Sequence, residues 1–172
     1  MLKGSRIELD YIRTDDDLVA LARMRNENWQ WFFNETKIKE SDQAGWYRAV
    51  MADDTRQLYG IYEDQLFIGS VGYTNLDRRN QSAEFGNLLV SQGYRGRGYA
   101  KEAATLLLNY MFSQMNVRRI HLEVFSHNGE AVSLYEKIGF VKEGVLRKSQ
   151  FSFGEFRDVV VMSILKEEWP NV

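Results

Sequence analysis

The sequence predicts one mixed α/β domain, a sheet flanked by helices, and three observations carry that prediction. Amphipathic helical stretches and short apolar strand-like runs follow one another from end to end. No linker, internal repeat or low-complexity segment separates them, and the single proline, Pro170, sits in the C-terminal tail. A length of 172 residues suits one substantial core rather than two.

Each element has its own warrant. "SRIELDYI" alternates apolar and polar residues as a half-buried strand does. "TDDDLVALARMRNE" reads as a helix, with Thr14 as its cap and acids in its first turn. "ESDQAGWYRAVMA" is a second helix, weakened by Gly45. "RQLYGIYED" and "QLFIGSVGYTNL" read as two strands around an acidic turn, and "QSAEFGNLLV" as a third after the polar "DRRN". The strongest helix runs from Gly98 to Met115, where Ala100, Ala104, Leu107, Leu108, Met111 and Met115 form one apolar stripe. "VRRIHLEVF" is a strand with Ile120, Leu122 and Val124 on one face and His121 and Glu123 on the other. "NGEAVSLYEKIG" carries helix punctuation: Asn128 as cap, Glu130 in the first turn, Lys137 in the last, Gly139 beyond the end. "FVKEGVLRKSQF" and "EFRDVVVMSIL" form a hairpin around "SFGE".

Composition narrows the function classes. A net charge of −2 offers no general field for nucleic acid, so no nucleic-acid partner is expected. The absence of cysteine excludes disulfides, thiolate zinc sites and a covalent cysteine intermediate. His121 and His127 stand too far from any carboxylate cluster to read as a metal site, and no metal is expected. "MLKGSRIELD" lacks the apolar core of a signal peptide, and no run approaches the ~18 apolar residues of a membrane span. A soluble cytoplasmic protein without a membrane partner is the expectation.

"QGYRGRGYA", Gln92 to Ala100, joins the strand "FGNLLV" to the strongest helix. Such a turn gathers unpaired backbone N–H groups at the positive end of a helix dipole. Gly96 and Gly98 admit a bulky anion without an intervening side chain, and Arg95 and Arg97 add charge. A phosphate or pyrophosphate site follows. It is not a P-loop, which needs Gly-Lys and then Ser or Thr. Nor is it the dinucleotide fingerprint, whose third glycine would fall at Lys101. The further lysine and aspartate motifs of kinase glycine loops are missing as well.

Arg95-Gly96-Arg97-Gly98-Tyr99-Ala100 resembles the Arg/Gln-x-x-Gly-x-Gly/Ala signature of the GNAT superfamily of N-acetyltransferases. The likeness runs from about Gln81 to Leu165 and includes Asn128, Tyr135, Gly139 and Phe140 in "NGEAVSLYEKIGF". It implies a mostly antiparallel mixed sheet within a single domain over 1–172. Residues 1–80 would serve the acceptor side and 81–165 the acetyl-CoA core. The resemblance also implies acetyl-CoA as co-substrate. Its contacts would be the backbone of Leu88, Leu89 and Val90, the loop from Arg95 through Gly96, Arg97, Gly98 and Tyr99 to Ala100, and also Asn128 and Lys137. Tyr135 falls where relatives place a general acid near the sulfur, and Glu84 where a glutamate draws the amine's proton through water. Glu123 and His121 compete with Glu84 for the role of base, histidine being the side chain type that most readily exchanges a proton near neutral pH.

Moving an acetyl group to an amine without a cysteine points to direct attack in a ternary complex. The acceptor would be read by the N-terminal part, where Trp29, Trp31, Phe32, Phe33, Trp46 and Tyr47 supply a surplus of rings beyond the core's needs. The "RN…W…I…W" arrangement is similar to that of bacterial N-acetyltransferases acting on nucleotide-linked amino sugars. There Arg25 and Asn26 would meet phosphate or hydroxyls, with Trp29, Trp31 and Glu123 as further acceptor contacts. The C-terminal half is equally like spermidine and ribosomal-protein N-terminal acetyltransferases. A polyamine pocket should be rich in carboxylates, yet the first helices supply them only at Asp15 to Asp17, Glu27, Glu35 and Glu40, mixed with Arg and Lys, a pattern that does not decide the acceptor. The expected acceptor is a small amine, an amino sugar or a polyamine. A protein N-terminus and a non-catalytic acyl-CoA-binding module are the alternatives, and a homodimer is left open.

Overall fold

Strand-forming runs that alternate or are wholly apolar pair here into one eight-stranded sheet, ordered β1-β2-β3-β4-β5-β6-β8-β7. The computed structural model describes residues 1–33 and 37–170, so Glu35 lies outside the described residues. The strands are β1 (Leu2–Lys3), β2 (Glu8–Asp10), β3 (Gln57–Glu63), β4 (Leu66–Asp77), β5 (Ser82–Val90), β6 (Arg119–Phe125), β7 (Val141–Ser152) and β8 (Glu155–Leu165). All neighbours are antiparallel except β5 and β6, which run parallel because the whole of helix α3 (Tyr99–Ser113) is needed to cross between them. The sheet is thus mixed and mostly antiparallel, as the resemblance implies.

The helices α1 (Asp15–Glu27), α2 (Gln43–Met51), α3 and α4 (Gly129–Ile138) begin and end where local chemistry dictates. Thr14 forms a capping box with Asp17: its hydroxyl accepts from the Asp17 N–H at 3.1 Å, and the Asp17 carboxylate accepts from the Thr14 N–H at 3.2 Å. Asn128 caps α4 by accepting from the Ala131 N–H at 3.2 Å, and Gly139 ends it at φ +120°.

Helices α3 and α4 share the larger core with the sheet, where Leu107, Leu108, Met111 and Phe112 meet Ile120 and Met162. A smaller core lies under α1 and α2, formed by Leu18, Leu21, Tyr47 and Val50 with Leu58 and Leu89.

One predicted element is shorter than its pattern. Of residues 5–12 only Glu8–Asp10 are strand, and β1 turns back to pair with them. The turn closes through Gly4, whose N–H donates to the Ile7 carbonyl at 2.8 Å. A Cβ at Gly4 would lie 2.6 Å from the Glu102 carboxylate and 2.9 Å from the Leu106 side chain, so only glycine lets the chain bend this close to α3.

Candidate active site

The glycine turn has the geometry of an anion cradle. Gly96 at φ +72° and Gly98 at φ +85° occupy the left-handed region, and Gly98 hands over directly to α3. The main-chain N–H groups of residues 96–101 make no hydrogen bond among the described residues. A Cβ built at Gly96 meets nothing within 4 Å. The free donors therefore share a helix N-terminus with open space in front of them.

The loop's charged and aromatic side chains divide between two tasks. Arg95 turns inward: Nε donates to the Val90 carbonyl at 3.0 Å and a terminal nitrogen to the Asn28 side chain at 2.8 Å. It anchors the turn to the end of β5 and to the end of α1. Arg97 is exposed, beside the Tyr94 ring, and makes no ion pair. The Tyr99 ring is buried beneath the turn, and its hydroxyl donates to Glu63, which raises the phenol's pKa. Arg6 braces the turn from outside, donating to the Arg97 carbonyl at 2.8 Å, pairing with Glu102 at 2.9 Å and covering the Tyr99 ring. Arg6 and Asn28 carry no local pattern that marks them.

Beside the turn the sheet opens. β5 and β6 pair only through Ser82–Arg119, Ala83–Ile120 and Glu84–His121. β6 then continues with β8 to Phe125, while β5 continues with β4 to Val90. One edge of β5 beyond Glu84 thus faces a wedge rather than a neighbouring strand. β5 also bulges: Ser70 faces Leu89 and Gly72 faces Gly86, so β5 uses one residue more than β4. Asn87 takes the strain at φ +53°. The bulge reverses the alternation, so that Phe85 and Val90 share the larger core while Leu89 joins the smaller one. Leu88, between them, is half-buried against the larger core. "Gly-Asn" inside a strand-like run was the signal available for this bulge.

Tyr135 stands on the α4 side of the wedge. Its ring meets Phe85 edge-on at 6.1 Å and Phe140 at 5.9 Å. Phe85 is the first β5 residue past the paired stretch, which places the phenol where the strands part. Burial pushes its pKa up to about 12, and its hydroxyl makes no hydrogen bond among the described residues. The capping oxygen of Asn128 is engaged, but its amide nitrogen is free. Lys137 is exposed in the last turn of α4, about 13.5 Å along the helix from its cap, Asn128.

Glu84 and His121 are partners on the last parallel rung, with side chains on the sheet face opposite Ile120 and Ala83. The Glu84 carboxylate accepts from the Asn75 amide at 2.7 Å. Glu123 follows on the same face of β6 and is exposed. Glu143 lies beside this row, gripped by Arg119 at 2.6 and 2.7 Å and by the Ser163 hydroxyl at 2.8 Å. Those two partners pull its carboxyl down to about 2. Among the described residues no group of three or more His, Cys, Asp or Glu side chains is placed to hold a metal, and no helix is long and apolar enough to cross a membrane.

The N-terminal aromatic residues separate by contact. Trp29 packs on Phe153 at 4.5 Å, Trp31 on His127 at 5.6 Å and Phe33 on Phe125 at 4.8 Å, closing the segment after α1 onto the end of β6 and the β7–β8 hairpin. Tyr47 is buried, and its hydroxyl accepts from the Ile12 N–H at 2.9 Å. Asn26 is fully employed by the main chain of Ile38, donating and accepting at 2.8 Å. Arg25 is not: it lies over the Phe32 ring at 4.0 Å and lines a cavity with Trp46, Asn87 and Leu89.

The wedge between the parallel strands β5 and β6 lies beside the bare N-terminus of α3. The model of the acetyltransferase (GNAT) domain family matches residues 6–141, and the chain belongs to that family. The family uses acetyl-CoA, and the protein is an N-acetyltransferase. A spermidine N(1)-acetyltransferase of Vibrio cholerae serotype O1 is 36% identical over 158 residues, covering 90% of this chain and 91% of the relative. YdaF of Bacillus subtilis (strain 168), which bears the provisional name of ribosomal N-acetyltransferase, is 27% identical over 161 residues, covering 89% and 85%. The crystal structure of the Vibrio cholerae spermidine N-acetyltransferase with CoA and spermine superposes with a TM-score of 0.87 at 28% identity, covering 96% of this chain and 98% of that one.

Proposed function

We propose that the protein transfers the acetyl group of acetyl-CoA to a primary amine of a small molecule, by direct attack while both substrates are bound. The observation that carries this reading is the placement of Tyr135 and of the Glu84–His121 rung on opposite faces of one wedge, next to the bare N-terminus of α3. In this reading the N–H groups of residues 96–101 hold the pyrophosphate, with Arg97 and Lys137 adding charge. Arg95 and Tyr99 act through the shape of the turn. The unpaired main-chain edge of Leu88, Leu89 and Val90 and the Asn128 amide follow the pantetheine arm.

Acetyl-CoA supplies an activated thioester. Tyr135, a neutral phenol at pH 7 because its pKa is about 12, gives its proton to the departing thiolate. Glu84, oriented by Asn75, takes the amine's proton through water, and His121 is its neighbour for the same task. The spermidine acetyltransferase among the relatives supports a small amine as acceptor; the bracket of aromatic side chains around the wedge extends the range to amino sugars.

Isothermal titration with acetyl-CoA followed by thiol release against an amine panel tests the proposal. Tyr135→Phe is expected to lower kcat by ~10²-fold while the acetyl-CoA Kd changes little. An unchanged kcat assigns Tyr135 to packing and removes the acid from the mechanism. Binding without turnover of any amine makes the protein an acyl-CoA-binding module.

A further inference from the structure

We propose that the acceptor carries, besides its amine, an oxyanion group, carboxylate or phosphate, that pairs with Arg25. This rests on the acetyl-transfer reading above and narrows the substrate class.

Arg25 projects from α1 into a cavity bounded by Leu21, Phe32, Gln43, Trp46 and Asn87. Asn87 is the bulge residue of β5, so the cavity adjoins the wedge. Among the described residues the guanidinium makes no hydrogen bond and no ion pair, and it lies over the face of Phe32. Among the described residues no acid lines the cavity. Two acids of the surrounding helices are committed elsewhere, Asp17 to the Thr14 N–H and the Tyr62 hydroxyl and Glu40 to Arg23. The neighbouring arginines are likewise spoken for, Arg95 by Val90 and Asn28, Arg23 by Glu40.

A half-buried cation without a counter-charge is costly, and burial alone already lowers the Arg25 pKa. A ring face returns only part of that cost. The planar fork of a guanidinium is completed by a carboxylate or a phosphate, and the polar groups beside it, the amides of Gln43 and Asn87, add donors rather than charge. A ligand bearing only positive charge would be repelled from this cavity. Of the acceptors considered, the amine that also bears an oxyanion fits Arg25, and the bare polyamine does not.

Two matched pairs separate charge from shape and carboxylate from phosphate: putrescine against ornithine, and glucosamine against glucosamine 6-phosphate. The oxyanion-bearing member of at least one pair is expected to have a kcat/KM roughly tenfold or more above its partner, the usual worth of one charge-assisted contact. The preferred pair identifies the oxyanion. Arg25→Gln is expected to abolish that preference while the acetyl-CoA Kd stays within about twofold, which a general collapse of the fold would not allow. Should Arg25→Gln not fold, Arg25→Lys keeps the charge and loses the fork, and the preference is expected to shrink without changing sign. Equal or better use of the members without an oxyanion, no turnover of either oxyanion-bearing member, or a preference untouched by the variants overturns the role of Arg25. Failure to bind acetyl-CoA together with no thiol release from any of the four overturns the transferase reading itself.

Discussion

Gly98→Val probes the coenzyme loop at the point where backbone shape and binding coincide. Gly98 sits at φ +85° and ψ 0°, immediately before α3. An L residue there costs about 1–2 kcal/mol, more if β-branched. The new Cβ would also lie 3.3 Å from a terminal nitrogen of Arg6, the side chain that donates to the Arg97 carbonyl. Strain and crowding are relieved together only if φ at position 98 swings negative, which re-aims the free N–H groups at the start of α3. Each N–H bonded to an anionic phosphate oxygen is worth about 1.5–3 kcal/mol. Losing one therefore raises the CoA Kd by roughly tenfold to hundredfold. The larger core, built from Leu107, Leu108, Met111 and Phe112, is remote from the substitution, so the domain stays folded. Calorimetric titration with CoA, beside thermal unfolding of the free protein, reads both quantities. A lowered unfolding midpoint with a Kd within about twofold of the parent would refute the assignment of this turn to the pyrophosphate.

Two predictions concern stability. The Glu143 carboxyl, held near 2 against an ordinary 4.5 by Arg119 and Ser163, contributes stability that is present above about 4.5 and is lost as pH falls from there through about 2. Glu143→Gln should lower the thermal midpoint at neutral pH and flatten its pH dependence across that window, and parallel profiles for parent and variant would show that the pair contributes nothing. Gly45 lies in the first turn of α2 with nothing within 4 Å of a built Cβ; Gly45→Ala should stabilise the protein by about 0.4–1 kcal/mol, read as a rise of a few degrees in the unfolding midpoint. A fall there would mean that α2 packs more tightly than its geometry indicates.

The arginines show how far a residue's type predicts its employment. Arg95 and Arg97 are alike in the sequence, two charges flanking one glycine. In the structure Arg95 is consumed by the Val90 carbonyl and Asn28, and only Arg97 keeps its charge outward. Arg25 and Asn26 form an adjacent polar pair on α1, yet Asn26 is bound to the main chain of Ile38 and Arg25 faces the cavity alone. Neighbours in sequence diverge because successive residues of a helix point about 100° apart, and partners 12 or 67 residues away leave no local trace.

What the sequence determined by itself is what the backbone demands within a few residues. Thr14 and Asn128 accept the orphan N–H groups of their own helices, Gly139 ends α4 in a conformation few other residues tolerate, and Gly96 and Gly98 shape the turn before α3. Apolar periodicity likewise determined which faces of the helices and strands are buried. The tertiary structure alone decided where β5 and β6 part after Glu84 and His121, how Phe85 and Phe140 position Tyr135, and that Arg25 has no ion-pair partner among the described residues. Those outcomes depend on strands and side chains brought together from distant parts of the chain. Their energies are settled by packing and desolvation, which no short window of residues contains.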